Sequence, residues 1–106
     1  MVTIPAQVKS FIQRVQKRFA PAKIYVFGSR ATGKARPDSD WDFIIISQKF
    51  KDIDGYHRAV EVYRFGTGDF AFDVVCMTPA EFEEKKQEPS LVSEAISTKS
   101  LIEVSV

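Results

Sequence analysis

Between Ile24 and Ile46 the chain reads IYVFGSRATGKARPDSDWDFIII, and this stretch decides the fold. Two apolar runs, each typical of a buried strand, enclose a polar segment. Gly28 follows the first run directly, where a residue without a Cβ atom lets the backbone turn sharply and approach an anion closely. Asp40 and Asp42 stand at the start of the second run, and in a strand two such side chains share one face, roughly 7 Å apart at the backbone. The sequence therefore predicts a strand, a tight turn and a second strand that carries two carboxylates.

The segment Gly28–Lys34 also has the spacing of the phosphate-binding loop of P-loop NTPases. In that class a Ser or Thr follows the lysine and binds Mg²⁺, but here Ala35 takes that position. Pro37 prevents the long helix that normally follows the loop. A helix that begins at Ser29 is therefore limited to about two turns, and we do not expect a P-loop NTPase. The free N–H groups at the start of such a short helix are nevertheless available to phosphate oxygens.

A third carboxylate lies in the apolar run Phe70–Met77, where Asp73 is the only charged residue. An acid in the middle of a buried strand is costly without a partner, and a metal ion supplies one. A position at the sheet edge, or an ion pair with Arg30 or Arg36, is the alternative. Carboxylate oxygens are the hard ligands that Mg²⁺ prefers. The three aspartates therefore form a candidate metal site.

These motifs resemble those of the minimal nucleotidyltransferases, the smallest branch of the DNA polymerase beta superfamily. The family pattern is Gly-Ser, a spacer, Ser-Asp-x-Asp on the next strand and a third carboxylate on a later strand. The chain supplies Gly28-Ser29, Ser39-Asp40-Trp41-Asp42 and Asp73. The resemblance implies a polymerase-beta-like α/β (α+β) fold, with a small mixed sheet flanked by helices, in a single domain of residues 1–106.

The resemblance also implies a role for each site residue. Gly28-Ser29 and the neighbouring Arg30 are implied to hold the triphosphate, although exposure of the Arg30 side chain to solvent is an equal alternative. Asp40 and Asp42 are implied to bind two Mg²⁺ ions that bridge the phosphates. Asp73 is implied to bind the ion nearest the attacking hydroxyl and to help remove its proton. The expected reaction is attack on the α-phosphorus of ATP, which releases pyrophosphate and leaves AMP on the acceptor.

No residue of the chain identifies the acceptor. Many minimal nucleotidyltransferases are paired with a small helical HEPN protein, a ribonuclease-like toxin. The resemblance implies that the chain transfers AMP to a hydroxyl of such a partner and acts as its antitoxin. Two alternatives stay open: a non-catalytic antitoxin or binding module that masks a partner, and a small-molecule transferase of the antibiotic-modifying type. Because Asp occupies all three carboxylate positions, we favour the enzyme.

Composition agrees with one ordinary globular domain. The chain has 106 residues, 44% of them hydrophobic and 27% charged, and no apolar run approaches the ~20 residues of a membrane span. The first residues lead into an amphipathic pattern instead of a signal peptide, which favours the cytoplasm. A net charge of +1 gives no general electrostatic case for nucleic acid as a partner. The lone Cys76 lies in an apolar run and is expected in the core.

Periodicity predicts the remaining elements. An apolar stripe predicts a first helix with Pro5 in its first turn, and spacing near 3.6 residues predicts a later helix, although Gly55 weakens its start. Two further helices are predicted from a capping box and from a Pro-Ser pair. The residues that carry these predictions are Val8, Phe11, Ile12, Val15 and Phe19; then Ile53, Tyr56, Val60 and Tyr63; then Thr78–Glu81 and Pro89-Ser90. A short edge strand is predicted over Leu101–Val106, and its exposed edge would permit a homodimer.

Overall fold

The computed structural model describes residues 3–105 of the chain. The strands are β1 (Ala22–Phe27), β2 (Trp41–Ser47), β3 (Phe72–Met77) and β4 (Ile102–Glu103). The helices are α1 (Ala6–Phe19), α2 (Ser29–Thr32), α3 (Gly55–Tyr63), α4 (Pro79–Lys86) and α5 (Leu91–Ser97), with one 3-10 turn at Gln48–Phe50. The small mixed sheet flanked by helices that the sequence predicts is therefore confirmed.

The four strands form one sheet in the order β3-β2-β1-β4. β1 runs antiparallel to β2 and β4, whereas β2 and β3 are parallel. This topology brings the end of β1 and the beginnings of β2 and β3 to the same end of the sheet. The turn after β1 and the acidic starts of β2 and β3 are thus neighbours in space.

The two faces of β2 bury different sets of side chains, because side chains alternate along a strand. Trp41, Phe43 and Ile45 pack with the five buried residues of α1, and all five are those that the apolar stripe predicts. Ile44 and Ile46 pack on the opposite face with side chains of α4 and α5. Asp42 belongs to this second face, which is where the site opens.

The sequence analysis expected Pro5 in the first turn of α1, and this prediction is wrong by one residue. Pro5 is the N-cap residue, with an extended backbone (ψ 156°), and the helix begins at Ala6. The carbonyl of Pro5 still accepts the hydrogen bond of Lys9, at 2.9 Å. The correction is one residue, and the buried stripe is unaffected.

The predicted helix is present as α3, but the residues whose spacing predicts it are not the ones that it buries. Tyr56 and Tyr63 are 75% and 43% exposed, and the buried residues of the helix are Arg58 and Val62. Arg58 is buried because its guanidinium group finds several acceptors: the carbonyls of Ile53 (2.6 Å) and Cys76 (3.2 Å) and the carboxylate of Glu81 (2.6 and 3.3 Å). The hydrogen bond from Arg58 lowers the pKa of Glu81. A polar network therefore forms part of the buried side of α3.

We expect Arg58→Met to lower the free energy of unfolding by about 2–3 kcal/mol, because it removes charged hydrogen bonds and leaves two carbonyls short of a donor. Chemical denaturation at neutral pH measures the change. Arg64→Met is the control, since Arg64 is 69% exposed on its side chain and makes one surface ion pair; its effect should stay within about 0.5 kcal/mol. Equal effects of the two substitutions would show that the Arg58 network does not stabilise the fold.

The capping signals in the second half of the chain are confirmed. Thr78 and Glu81 form a complete capping box at the start of α4, and Ser90 caps α5 in the same manner with Ser93. The terminal strand is shorter than predicted and covers two residues, Ile102–Glu103, at the sheet edge; Val106 lies outside the described residues. The homodimer stays a prediction. None of the described helices has the length and apolar character needed to cross a membrane.

Candidate active site

The candidate site lies at the end of the sheet where β1 ends and β2 and β3 begin. Gly28 follows β1 and is the N-cap of α2. This helix is a single turn, within the limit of two turns set by Pro37. The sequence signals for a strand, a sharp turn and a short helix are thus all present in the structure.

Gly28 has a backbone conformation that requires glycine. Its φ of 74° and ψ of −150° fall in a region that side chains other than glycine essentially do not adopt. A Cβ atom at this position would lie 2.9 Å from Oδ2 of Asp42. The glycine is therefore needed both for the turn and for the close approach of the Asp42 carboxylate to the backbone.

Asp42 and Asp73 are directly paired across the parallel strands β2 and β3. Paired residues point to the same face, and neighbouring strands are about 4.8 Å apart. Asp42 also pairs with Phe27 on its other side, one residue before Gly28. The two carboxylates and the glycine turn are therefore adjacent on one face.

Asp40 lies just before β2, which begins at Trp41, and its side chain is exposed. It is close enough for its charge to act on Asp42. Partial burial raises the pKa of Asp42 above its usual value, and the negative charges of Asp73 and Asp40 raise it further. Carboxylates that oppose one another's ionisation in this manner are stabilised by a cation between them.

Asp73 is not buried, contrary to the expectation from its apolar run. β3 is an edge strand, so the Asp73 side chain is exposed and needs no metal ion to offset burial. The hydroxyl of Tyr63 donates a hydrogen bond to its Oδ1 atom, at 3.2 Å. Burial and the Asp73 charge raise the pKa of Tyr63, so the hydroxyl stays protonated and remains a donor.

Sequence reasoning missed the role of Tyr63, because it used this residue only as one of the positions at helical spacing. The tyrosine ring instead packs on Phe72, with ring centroids 4.9 Å apart, at the end of α3. The neighbour of Phe72 in the chain is Asp73, so this ring contact brings the hydroxyl to the carboxylate. Nothing local in the sequence connects Tyr63 with Asp73.

Arg30 does not extend into solvent. Its Nη2 atom donates to the carbonyls of Ser39 (2.6 Å) and Pro37 (3.3 Å), and the guanidinium group lies 4.7 Å from the ring centre of Trp41. Trp41 is 3% exposed and faces α1, away from the side of the sheet that carries Asp42. In this arrangement Arg30 contacts the loop before Asp40. Its predicted contact with the triphosphate stays a prediction.

The chemistry of the donor groups fits a divalent cation such as Mg²⁺, which commonly takes one or two carboxylates and completes its shell with water and substrate phosphates. Asp42 and Asp73 are such a pair, and Asp40 is nearby. Among residues 3–105 no group of three or more acidic, histidine or cysteine residues converges closely enough to hold an ion by itself. The arrangement therefore fits a metal ion that binds together with nucleotide phosphates.

Two other reactive side chains stay outside the site. Burial raises the pKa of the Cys76 thiol to about 12, so it is not a nucleophile at neutral pH. His57 is exposed on α3, where its ring lies 2.6 Å from the Asp54 carboxylate that caps the helix. The burial of Cys76 agrees with the sequence analysis, which placed it in an apolar run. Within the described residues, the three aspartates therefore remain the candidate catalytic groups.

Comparison with known proteins assigns the chain to a family. The family model described as "Nucleotidyltransferase domain" matches residues 8–103. The comparison with curated proteins gives no match. Among solved structures, a protein of Sulfolobus solfataricus provisionally assigned as a nucleotidyltransferase is 26% identical, with a TM-score of 0.61; the match covers 74% of this chain and 69% of that protein.

A second solved structure is that of a toxin-antitoxin with AMP-PNP. It is 18% identical with a TM-score of 0.53, and the match covers 92% of this chain and 73% of that chain. At this identity the likeness concerns the fold alone. The chain therefore belongs to the nucleotidyltransferase domain family, as its resemblance to the minimal nucleotidyltransferases of the DNA polymerase beta superfamily predicted.

Proposed function

We propose that the chain is a Mg²⁺-dependent nucleotidyltransferase that moves AMP from ATP to a hydroxyl group of a protein partner. The observation that carries this proposal is the pairing of Asp42 with Asp73 beside the Gly28 turn. The pairing sets two acids on one face, next to a backbone turn with phosphate-binding character. A purely structural role offers no reason for carboxylates that oppose one another's ionisation.

The triphosphate binds along the turn. Gly28 permits close approach of the phosphates to the backbone, and Ser29 offers its N–H group and its hydroxyl as donors. Asp40, Asp42 and Asp73 would hold Mg²⁺ together with phosphate oxygens, and the ion would supply charge stabilisation to the transferring phosphoryl group. Burial and the neighbouring carboxylates raise the pKa of Asp42, and a cation beside it would stabilise its ionised form.

The transfer step forms one bond and breaks one. The acceptor hydroxyl oxygen bonds to the α-phosphorus, the bond between that phosphorus and the bridging oxygen breaks, and pyrophosphate leaves. The proton of the acceptor hydroxyl passes to the carboxylate of Asp73 and from there to water. Tyr63 holds Oδ1 of Asp73 and leaves Oδ2 without a partner among the described residues, so this second oxygen is available for the proton.

The choice of ATP and of a protein acceptor rests on the resemblance. Minimal nucleotidyltransferases of this kind are paired with HEPN toxins, and we propose that the chain modifies such a partner as its antitoxin, in the cytoplasm. The neighbouring toxin-antitoxin structure with AMP-PNP is compatible with both choices. Because no residue of the chain identifies the partner, the experiment must identify it.

We expect label transfer when the purified chain is incubated with Mg²⁺, α-phosphate-labelled ATP and a lysate of its source cells. GTP, CTP and UTP with the same label test which base the chain prefers. A sample without lysate tests whether transfer occurs without any added protein. Asp40→Asn/Asp42→Asn is the inactive variant. Asp52→Asn is the matched control, because Asp52 is an exposed acid outside the site.

A labelled protein band that requires Asp40 and Asp42 supports the proposal, and mass spectrometry of the band names the acceptor. Label on a small molecule without added protein would favour the antibiotic-type transferase. If no label appears under any condition and the chain also binds no nucleotide, the enzymatic proposal is wrong and the masking module is favoured.

A further inference from the structure

The side chain of Arg30 connects two parts of the site that are separate in sequence. Arg30 is the second residue of α2 and thus directly follows the Gly28-Ser29 turn. Its Nη2 atom reaches the carbonyl of Ser39 at 2.6 Å, and Ser39 is the residue before Asp40. In the described part of the chain, Arg30 makes the only side-chain hydrogen bonds between α2 and the loop of residues 36–40.

The loop has its own turn but no other side-chain connection to α2. The N–H of Ser39 donates to the carbonyl of Arg36 at 3.0 Å, and the N–H of Arg36 donates to Oγ of Ser39 at 2.8 Å. These bonds fix the shape of the turn, whereas the sheet holds only the end of the loop, where β2 begins. The two bonds from Arg30, to Ser39 and Pro37, connect the rest of the loop to α2.

The guanidinium group of Arg30 lies over the indole ring of Trp41. The indole ring is 3% exposed, stacks on Phe43 with ring centroids 6.0 Å apart, and has the Arg30 guanidinium 4.7 Å from its centre. A flat guanidinium group can lie on an aromatic ring and donate in its own plane at the same time, which an ammonium group cannot do. The site therefore uses a property specific to arginine.

We propose that Arg30 is a positioning residue that fixes Asp40 relative to the phosphate turn and acts on the reaction through Asp40, without contact to the nucleotide. This inference rests on the proposed function for its catalytic consequence, and its structural part stands independently. The Nη2 atom of Arg30 donates to two carbonyls and its guanidinium group lies on an indole, on the face of β2 opposite to Asp42, while its buried Nε atom has no hydrogen-bond partner among the described residues. Arg30 is thus turned toward the loop.

The experiment compares Arg30→Met and Arg30→Lys with the control Arg64→Lys on the full chain. Amide hydrogen exchange of Arg36 and Ser39 in the free protein should become at least about tenfold faster in both Arg30 variants, with β2 unchanged. The apparent Kd of Mn²⁺ in the presence of α,β-methylene-ATP, which supplies the phosphates but cannot transfer AMP, should rise at least about threefold, as measured by quenching of the single tryptophan, Trp41. Because both readouts work without turnover, they test Arg30 even if the chain transfers no nucleotide.

The Arg30→Lys variant separates the two roles. If Arg30 contacted the triphosphate, lysine would preserve much of the binding, only the methionine variant would raise the KM for ATP, and exchange in the loop would stay unchanged. If Arg30 positions Asp40, Arg30→Lys should speed amide exchange and raise the Kd of Mn²⁺ nearly as much as Arg30→Met does. The KM for ATP should change less than about twofold in both variants. Unchanged exchange, or faster exchange with an unchanged Kd of Mn²⁺, overturns the proposal.

Discussion

Asp42→Asn is expected to reduce nucleotidyl transfer at least about 100-fold without lowering the stability of the fold. Asp42 is the central carboxylate: it pairs with Asp73 on β3 and lies against Gly28. Metal-assisted stabilisation of the transferring phosphoryl group contributes several kcal/mol, and each 1.36 kcal/mol is a factor of ten in rate. An asparagine of equal size keeps the packing and removes the charge that holds the cation.

The stability of this variant has a definite sign. The folded-state pKa of Asp42 is raised, so the native state binds a proton more tightly than the unfolded chain, and the group destabilises the native state when it is ionised. The penalty is complete above the folded pKa and disappears as the pH falls below the unfolded value. At pH 7 the Tm of Asp42→Asn should therefore equal or exceed that of the unmodified chain, and the difference should vanish in acid.

Thermal unfolding at pH 7 and near pH 3, below the ordinary Asp pKa of about 3.9, measures the stability effect, and the transfer assay measures the effect on activity. Asp52→Asn is the control, because it makes the same chemical change at an exposed position outside the site; it should leave activity unchanged. A marked loss of stability in Asp42→Asn would mean that the carboxylate has a structural role. Activity within about twofold of the unmodified chain would remove Asp42 from the site.

The parts of this site that could be predicted depend only on residues that are close together in the chain. The strand before Gly28, the turn and the strand that carries Asp42 follow from local apolar patterns and from one glycine. Helix caps such as Thr78 are likewise local, because each cap involves residues three positions apart. These elements are all present in the structure.

The remaining parts depend on contacts between distant residues. Arg58 is buried because the carboxylate of Glu81, 23 positions away, is placed against it by folding. The exposure of Asp73 depends on the strand order, which puts β3 at the edge. The contact of Tyr63 with Asp73 needs both the helix and the strand to be in place. No periodicity in the sequence carries this information.

The burial of Arg58 in α3 illustrates why local patterns do not predict such contacts. A count of apolar positions assigns the buried side of a helix by hydrophobicity, and so selects Tyr56 and Tyr63. Burial of a charged group is acceptable when hydrogen bonds satisfy it, and Arg58 meets this condition with acceptors from three other segments. Pattern analysis treats such a residue as solvent-exposed because its partners are invisible to a local window.

Gly28→Ala is expected to lower stability and activity together. The substitution places a Cβ atom in a backbone region reserved for glycine, at a cost of about 1–3 kcal/mol, or a fall in Tm of roughly 4–8 °C for each kcal/mol. The same atom lies 2.9 Å from Oδ2 of Asp42, so the carboxylate must move. We expect transfer by the folded protein to fall at least about tenfold, because a displacement of about 1 Å at a reacting centre can itself cost about 100-fold.

Gly33→Ala separates the two consequences, because Gly33 caps the other end of the same helix. Its φ of 79° and ψ of 9° lie in the left-handed helical region, where alanine costs about 1–2 kcal/mol, and a Cβ atom there meets nothing within 4 Å. Both variants should therefore lose similar stability, and only Gly28→Ala should lose activity per folded molecule, measured by the transfer assay well below the Tm of either. Equal activity of the two would show that the approach of Gly28 to Asp42 has no part in the chemistry, whereas the expected difference would tie catalysis to the position of that one carboxylate.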